Sequence, residues 1–268
     1  PWRYPLAHLR ASIIHCILQS ISSPILAAII IALCVGSRVY LTPDIWKTFQ
    51  NTGTSHLVAI SGLHVGLVAM MIFFIINRLW RLSPALLLRI PAQRMASLGA
   101  LFVLISYGCL SGLSYPTQRA VIMIGAVLWA KWRYERVVLW RPLFFSFVLI
   151  VILQPFALVS PGFWLSFFAV GFLIYAAKGG WFHSQWAIFL GLLPVTLYFF
   201  HKISLILTLA NLIAIPWISF LVVPSCLIAS VLSLCHLKVA VILFKLSAIL
   251  LKPLWLCLSY LSAIPNIV

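Results

Sequence analysis

Eight stretches of this chain are apolar for long enough to concern a lipid bilayer: His56–Ile76, Met95–Leu113, Arg119–Ala130, Leu143–Leu158, Gly162–Ala177, Trp186–Phe200, Leu205–Val223 and Val239–Leu258. A span needs about twenty mostly apolar residues, and it must be helical because no water is present to satisfy an open backbone. Arg119–Ala130 reaches that length only by running into the amphipathic Lys131–Trp140, and Ser225–Leu234 is too brief to cross unaided. Ser12–Val35 is apolar but interrupted by Gln19, Ser20, Ser22, Ser23 and Pro24, which makes it a kinked span or an interfacial helix. The organisation expected is therefore N-terminal helices of one or the other kind over residues 1–55, then a polytopic membrane domain over 56–268. The fold class is all-α: a polytopic transmembrane bundle whose helices are broken at Pro and Gly.

Composition excludes the soluble alternative. The 268 residues are 64% hydrophobic and only 7% charged, whereas a soluble domain covers itself with about a quarter charged residues. Lys and Arg number 18 against 2 Asp and Glu. Much of that excess follows the rule that places Lys and Arg in cytoplasmic loops: Arg78, Arg81, Arg89 and Arg94 fill one loop, Lys131, Arg133, Arg136 and Arg141 another. With both loops cytoplasmic, the hairpin tip Ser114–Gln118 and the segment Thr42–Thr54 face outward. Thr42-Pro43-Asp44 reads as a helix start, with a capping hydroxyl, a proline at the first position and an acid near the positive end. The six cysteines form no C-x-x-C pair and sit in apolar runs as small hydrophobes. The first residue is Pro1 rather than Met, which leaves open that the chain is a piece of a longer one, and nothing before Ile13 resembles a cleavable signal peptide.

Polar groups inside hydrocarbon are costly, so each is a functional candidate. The richest run is His56-Leu57-Val58-Ala59-Ile60-Ser61-Gly62-Leu63-His64-Val65-Gly66. On one continuous helix, with His56 at zero, Ser61 falls at about 140° and His64 at about 80°, while Gly62 and Gly66 fall at about 240° and 280°. That is a polar stripe opposed to a G-x-x-x-G packing face. The stripe lines an aqueous path, or its histidines hydrogen-bond across a bundle. Gly108 and Gly112 repeat the packing spacing at the end of the next span. Arg119 opens a helix after the turn at Gln118, as an interfacial anchor or as a guanidinium that meets incoming phosphates. Asn211 lies near Pro216, which frees the Leu212 carbonyl and marks either a broken helix at depth or a simple kink. Phe163, Trp164, Phe167 and Phe168 offer stacking faces to bases, or form an interfacial aromatic belt.

Several chemistries have no residues to carry them. The sequence holds no H-x-H-x-D or H-E-x-x-H pattern and no G-x-x-x-x-G-K-[ST] loop, so neither metal-dependent hydrolysis nor an ATP motor is expected. Asp44 and Glu135, the two acids, fall in loops rather than spans, which disfavours proton-coupled transport. The chain is expected to be no enzyme and to need no cofactor.

Four blocks occur in an order that carries a resemblance: Asn51-Thr52-Gly53-Thr54-Ser55-His56-Leu57-Val58-Ala59-Ile60-Ser61-Gly62-Leu63-His64-Val65; Ser111-Gly112-Leu113-Ser114 through Arg119-Ala120; Leu158-Val159-Ser160-Pro161-Gly162-Phe163-Trp164-Leu165-Ser166-Phe167; and Asn211-Leu212-Ile213-Ala214-Ile215-Pro216. From about Leu33 to Pro224 the chain resembles the ComEC competence family. The resemblance implies a multi-pass protein of the bacterial inner membrane that passes single-stranded DNA into the cytoplasm during natural transformation. It implies a path lined by His56, Ser61, His64, Gln118, Arg119, Trp164, Ser166 and Asn211. It also implies partners: an oligonucleotide-binding-fold domain, a metallo-β-lactamase-like nuclease domain and a cytoplasmic helicase-type motor, with lipid around the bundle and a homo-oligomer left open. Where the family commonly has Gly-Asp-Arg and Asp-Pro, this chain has Gly36-Ser37-Arg38 and Gln154-Pro155, losing an acid at each place. Two other readings stand beside the channel: a secondary transporter for a small anion, and a non-conducting remnant of a longer competence protein.

Overall fold

The computed structural model describes residues 5–58, 62–133, 138–177, 179–200, 205–235 and 237–263. Their regular structure is helical, and no strand occurs among them. Four helices are long and apolar enough to cross a membrane: Gly62–Trp80 (α5), Ala92–Leu110 (α7), the run Ala210–Leu234, and Val239–Ala263 (α14). The chain forms two compact units, each gathered from separated stretches.

The first unit takes residues Pro1–Leu67, Ser106–Thr117 and Ser204–Val268. Its centre is α2 (Pro24–Val35), in which every residue from Leu26 to Val35 is buried. The sequence PILAAIIIALCV has no polar side, so it gains by being enclosed on all faces. At twelve residues it is about 18 Å long, little more than half a bilayer core. Around it pack α1 (Pro5–Ser20), α4 (Ser55–Val58), α13 (Val223–Leu234) and α14. The stretch Ser12–Val35 breaks where the serines and Pro24 fall, between Ser20 and Pro24, and Gly36 ends α2 with a left-handed φ of 75°. Helix α3 (Pro43–Asn51) starts as its sequence suggested: the Thr42 hydroxyl accepts from the Ile45 N–H at 3.5 Å, with Pro43 next and Asp44 in the first turn.

Pro216 does not interrupt its helix. Helix α12 (Leu205–Trp217) contains it and passes directly into a π-helical segment, Ile218–Val222, and then into α13. A π turn absorbs an extra residue and shifts the hydrogen-bond register, which suits a stretch bracketed by Pro216 and Pro224, neither with an N–H to give. Ser225–Leu234 is therefore no isolated short helix; it ends the 25-residue run from Ala210.

The second unit takes Val68–Ile105, which includes the short helix α6 (Pro84–Arg89), and Gln118–Ile203. Helix α9 (Trp140–Leu153) stops at Gln154-Pro155, a 3-10 turn covers Pro155–Val159, and α10 (Pro161–Ala176) follows. The expected span Leu143–Leu158 is thus cut five residues early, because Pro155 cannot continue the helix. At 14 and 16 residues these two helices run about 21 and 24 Å, short of a full crossing. Phe163 and Phe167 on α10 pack with Ile150 and Phe147 of α9. Helix α11 (Gly180–Phe200) lies against α10, where Gly191 leaves room for the Phe172 ring: a Cβ there would stand 2.5 Å from it.

Candidate functional site

The residues expected to line a path divide between the units. His56, His64 and Asn211 belong to the first; Gln118, Arg119, Trp164 and Ser166 belong to the second. Ser61 lies outside the described residues.

The two histidines of the stripe differ in burial. His56 sits on the four-residue α4, exposed, with Nδ1 3.1 Å from the Gly53 carbonyl oxygen. His64 sits on α5 and is fully buried. Residues 59–61, which would join α4 to α5, lie outside the described residues. Gly62 and Gly66 occupy the first turns of α5, half-buried.

Gly108 and Gly112 do a different job from the one their spacing suggests. Helix α7 ends at Leu110, and Gly112 follows with φ 81°. The Leu113 N–H donates to the Gly108 carbonyl at 3.1 Å, and the Gly112 N–H to Cys109 at 3.2 Å. This pair of bonds is the Schellman closure, which places a left-handed residue four positions after the first carbonyl it satisfies. Gly112 thus belongs to the turn and not to a packing face. The Arg10 guanidinium completes the cap, donating from Nε to Leu110 O and from Nη2 to Cys109 O, both at 2.8 Å.

In the second unit the expected residues converge. Helix α8 (Tyr115–Trp132) carries Gln118 and Arg119 in its first turns. The Gln154 amide, at the end of α9, donates to the Gln118 side-chain oxygen. These two, with Arg119, Ile122, Ile150 and Leu153, line a cleft of about 20 Å³, room for about one water. Arg119 is only 7% exposed, and its Nε has no hydrogen-bond partner among the described residues. A Cβ on Gly162 would stand 3.6 Å from Arg119 Nη2 and 3.7 Å from Ser160 Oγ. The guanidinium therefore reaches the start of α10, whose N-cap residue Ser160 makes no side-chain cap bond. The described residues of this unit contain no Asp or Glu. In the sequence Gln154 stands out only as the replacement of a familial acid; the fold brings it into one cleft with Arg119.

Around that turn, Trp164 Nε1 donates to Leu158 O at 2.8 Å and Ser166 Oγ to Gly162 O at 2.7 Å. Both polar groups are satisfied locally and hold the turn and the first helical residues in shape. The four aromatics split by face. Phe163 and Phe167 are enclosed in the core and offer no stacking face. Trp164 and Phe168 stack on each other outward, with ring centroids 5.7 Å apart and planes at 25°. In the first unit, the Asn211 Oδ1 on α12 is buried without a hydrogen-bond partner among the described residues.

The family model described as Competence protein matches residues 33–268. The chain is 36% identical over 219 residues to the competence protein ComA of Neisseria gonorrhoeae, covering 78% of this chain and 31% of that protein. It is 33% identical over 248 residues to recombination protein 2 of Haemophilus influenzae, covering 84% and 31%. It is 30% identical over 236 residues to the ComE operon protein 3 of Bacillus subtilis, covering 83% and 28%. The chain spans less than a third of the length of these relatives. No solved structure matches it.

Proposed function

Since the chain belongs to the competence protein family, we propose that it forms the membrane-embedded part of a channel that carries single-stranded DNA across the bacterial inner membrane during transformation. The observation that carries this reading is Arg119. A buried guanidinium with a free Nε, and with no carboxylate among the described residues of its unit, favours an anion from outside the chain. A phosphodiester oxygen suits it: Arg119 donates from Nε, and Ser160 supplies a hydroxyl at the start of α10, where the helix end adds positive potential. Gln118 and Gln154 are neutral, so they position without neutralising.

Conduction asks for contacts that are easily left as well as made. A single guanidinium flanked by amides meets that need better than a cage of cations. The outward Trp164–Phe168 pair extends the site with a face on which a base can stack without sequence preference. The chain performs no chemistry on the strand in this reading. Degradation of the other strand, capture of DNA outside and the pulling force come from a nuclease-type domain, an oligonucleotide-binding-fold domain and a cytoplasmic motor.

The test compares Arg119→Gln with Arg119→Lys in a transformable host that lacks its own copy of the channel, with membrane abundance measured beside transformation frequency. Arg119→Gln at parental abundance loses transformation, and Arg119→Lys retains part of it. Parental transformation by Arg119→Gln would remove the basis of the reading.

A further inference from the structure

Lys238, Lys245 and Lys252 stand seven residues apart, the first just before α14 and the others within it. Seven residues fall about 20° short of two full turns, so the three share a stripe that rises about 10 Å at each step. All three are exposed, whereas Phe244, Ser247, Leu251 and Leu254 turn the other faces of α14 into the first unit's core.

The depth of Lys252 is what makes the stripe unusual. The 25 residues of α14 are about 37 Å long. Centred on a hydrocarbon core of about 30 Å, the helix places Lys252 about 1.5 Å from the midplane, one residue past its middle. Its side chain reaches about 6 Å, so it cannot draw its ammonium to either interface as Lys245 and Lys238 can. The neighbouring Pro253 has no N–H for the Ile249 carbonyl, and Ile249 lies on the same exposed arc at 66% exposure. A charge and an unanswered carbonyl at mid-depth do not suit a surface that meets lipid tails.

The chemistry of the occupant is narrow. Lipid headgroup phosphates lie about 15 Å from the midplane, beyond Lys252. A second copy of this chain brings only Asp44 and Glu135 as acids, neither within an apolar span. Three like charges in line, at regular spacing, complement a linear polyanion.

We infer that the Lys238–Lys245–Lys252 stripe is a water-lined lane along which the phosphodiester backbone of the translocated strand passes, with Lys252 as its mid-membrane contact. The inference rests on the DNA-channel reading and names where, on the first unit, that strand runs.

The experiment uses single cysteines in a background with the six native cysteines replaced, in membranes of the same transformable host. Lys252→Cys is compared with Phe220→Cys, an exposed apolar position on the π segment, for reaction with a water-soluble methanethiosulfonate reagent. Lys252→Cys reacts at least about tenfold faster because water reaches it, and a single-stranded oligonucleotide slows that reaction. Equal, slow reaction at both sites overturns the lane. Fast reaction without oligonucleotide protection also overturns it, and assigns the stripe to another partner such as an acidic transmembrane helix. A second set of variants keeps the cysteine background out of the argument. Lys252→Leu keeps or raises membrane abundance, since leucine suits lipid better, yet lowers transformation about tenfold, and Lys252→Arg retains it. If Lys252→Leu transforms like the parent while Arg119→Gln does not, the lane is wrong and the channel stands. If both transform like the parent, the channel reading falls with it.

Discussion

Arg10 and Leu110 are a hundred residues apart in sequence, and the Arg10 Nε donates to the Leu110 carbonyl at 2.8 Å. The second donation, from Nη2 to Cys109, gives the C-terminus of α7 a fixed cation where its carbonyls and dipole concentrate negative potential. Arg10→Ala is expected to destabilise the first unit by about 1.5–3 kcal/mol, the range for hydrogen bonds to charged groups. Arg10→Lys recovers part of that. Thermal unfolding in detergent, followed by tryptophan fluorescence, reads the difference; equal melting of all three forms would show that the cap is unimportant.

Gln154→Asp should place a carboxylate in the cleft it shares with Arg119. The pair satisfies a buried guanidinium internally, so the protein melts higher than the parent. The same pairing removes the charge offered to an external phosphate, so oligonucleotide retention by the purified protein weakens. Unchanged retention would mean that strand phosphates do not meet Arg119.

His56 and His64 are expected to part company on mutation. His64 is fully buried, so His64→Ala costs about 1–3 kcal/mol of stability and lowers abundance. His56 is exposed, so His56→Ala stays within about 0.5 kcal/mol of the parent. Melting curves of the two single variants decide it, and equal losses would show that burial does not set their contributions.

The aromatic face of α10 provides a similar contrast. Phe163→Ala empties a core site and costs about 3–5 kcal/mol. Phe168→Ala, at 40% exposure, costs much less but removes the ring stacked on Trp164. Oligonucleotide binding should fall for Phe168→Ala at near-parental stability. A binding loss matched by an equal stability loss would argue for packing alone.

The long apolar runs made the helical membrane fold legible, as did local signals such as Thr42-Pro43-Asp44 and the serines before Pro24. Other features depend on information that spacing does not hold. A four-residue gap between glycines is shared by a packing face and a Schellman turn, and at Gly108 and Gly112 only the left-handed backbone tells them apart. A proline within an apolar run marks either a break or a register shift, and around Pro216 the chain takes the shift. The site was legible as residues but not as a place: Gln118, Arg119 and the Ser160–Trp164 block were each conspicuous, yet Gln154 became part of them only when α9 ended beside α8. Lys245 and Lys252 were open to view in the sequence. Their importance comes from the exposed face of a helix long enough to put one of them at mid-membrane.

The enclosure of α2 sets an order on biosynthesis. Cys34 on α2 faces the Cys226 carbonyl, 3.8 Å away across a sequence separation of 192 residues. The ribosome releases α2 long before it makes α13 and α14, so a strongly apolar segment too short to anchor itself must wait in the membrane for its neighbours. Translation that stops before Val223 would strand it, and the product is expected to be cleared by membrane proteases. The second unit, whose stretches are complete by Ile203, has no such wait, and quality control of this protein should therefore turn on the synthesis of α13 and α14.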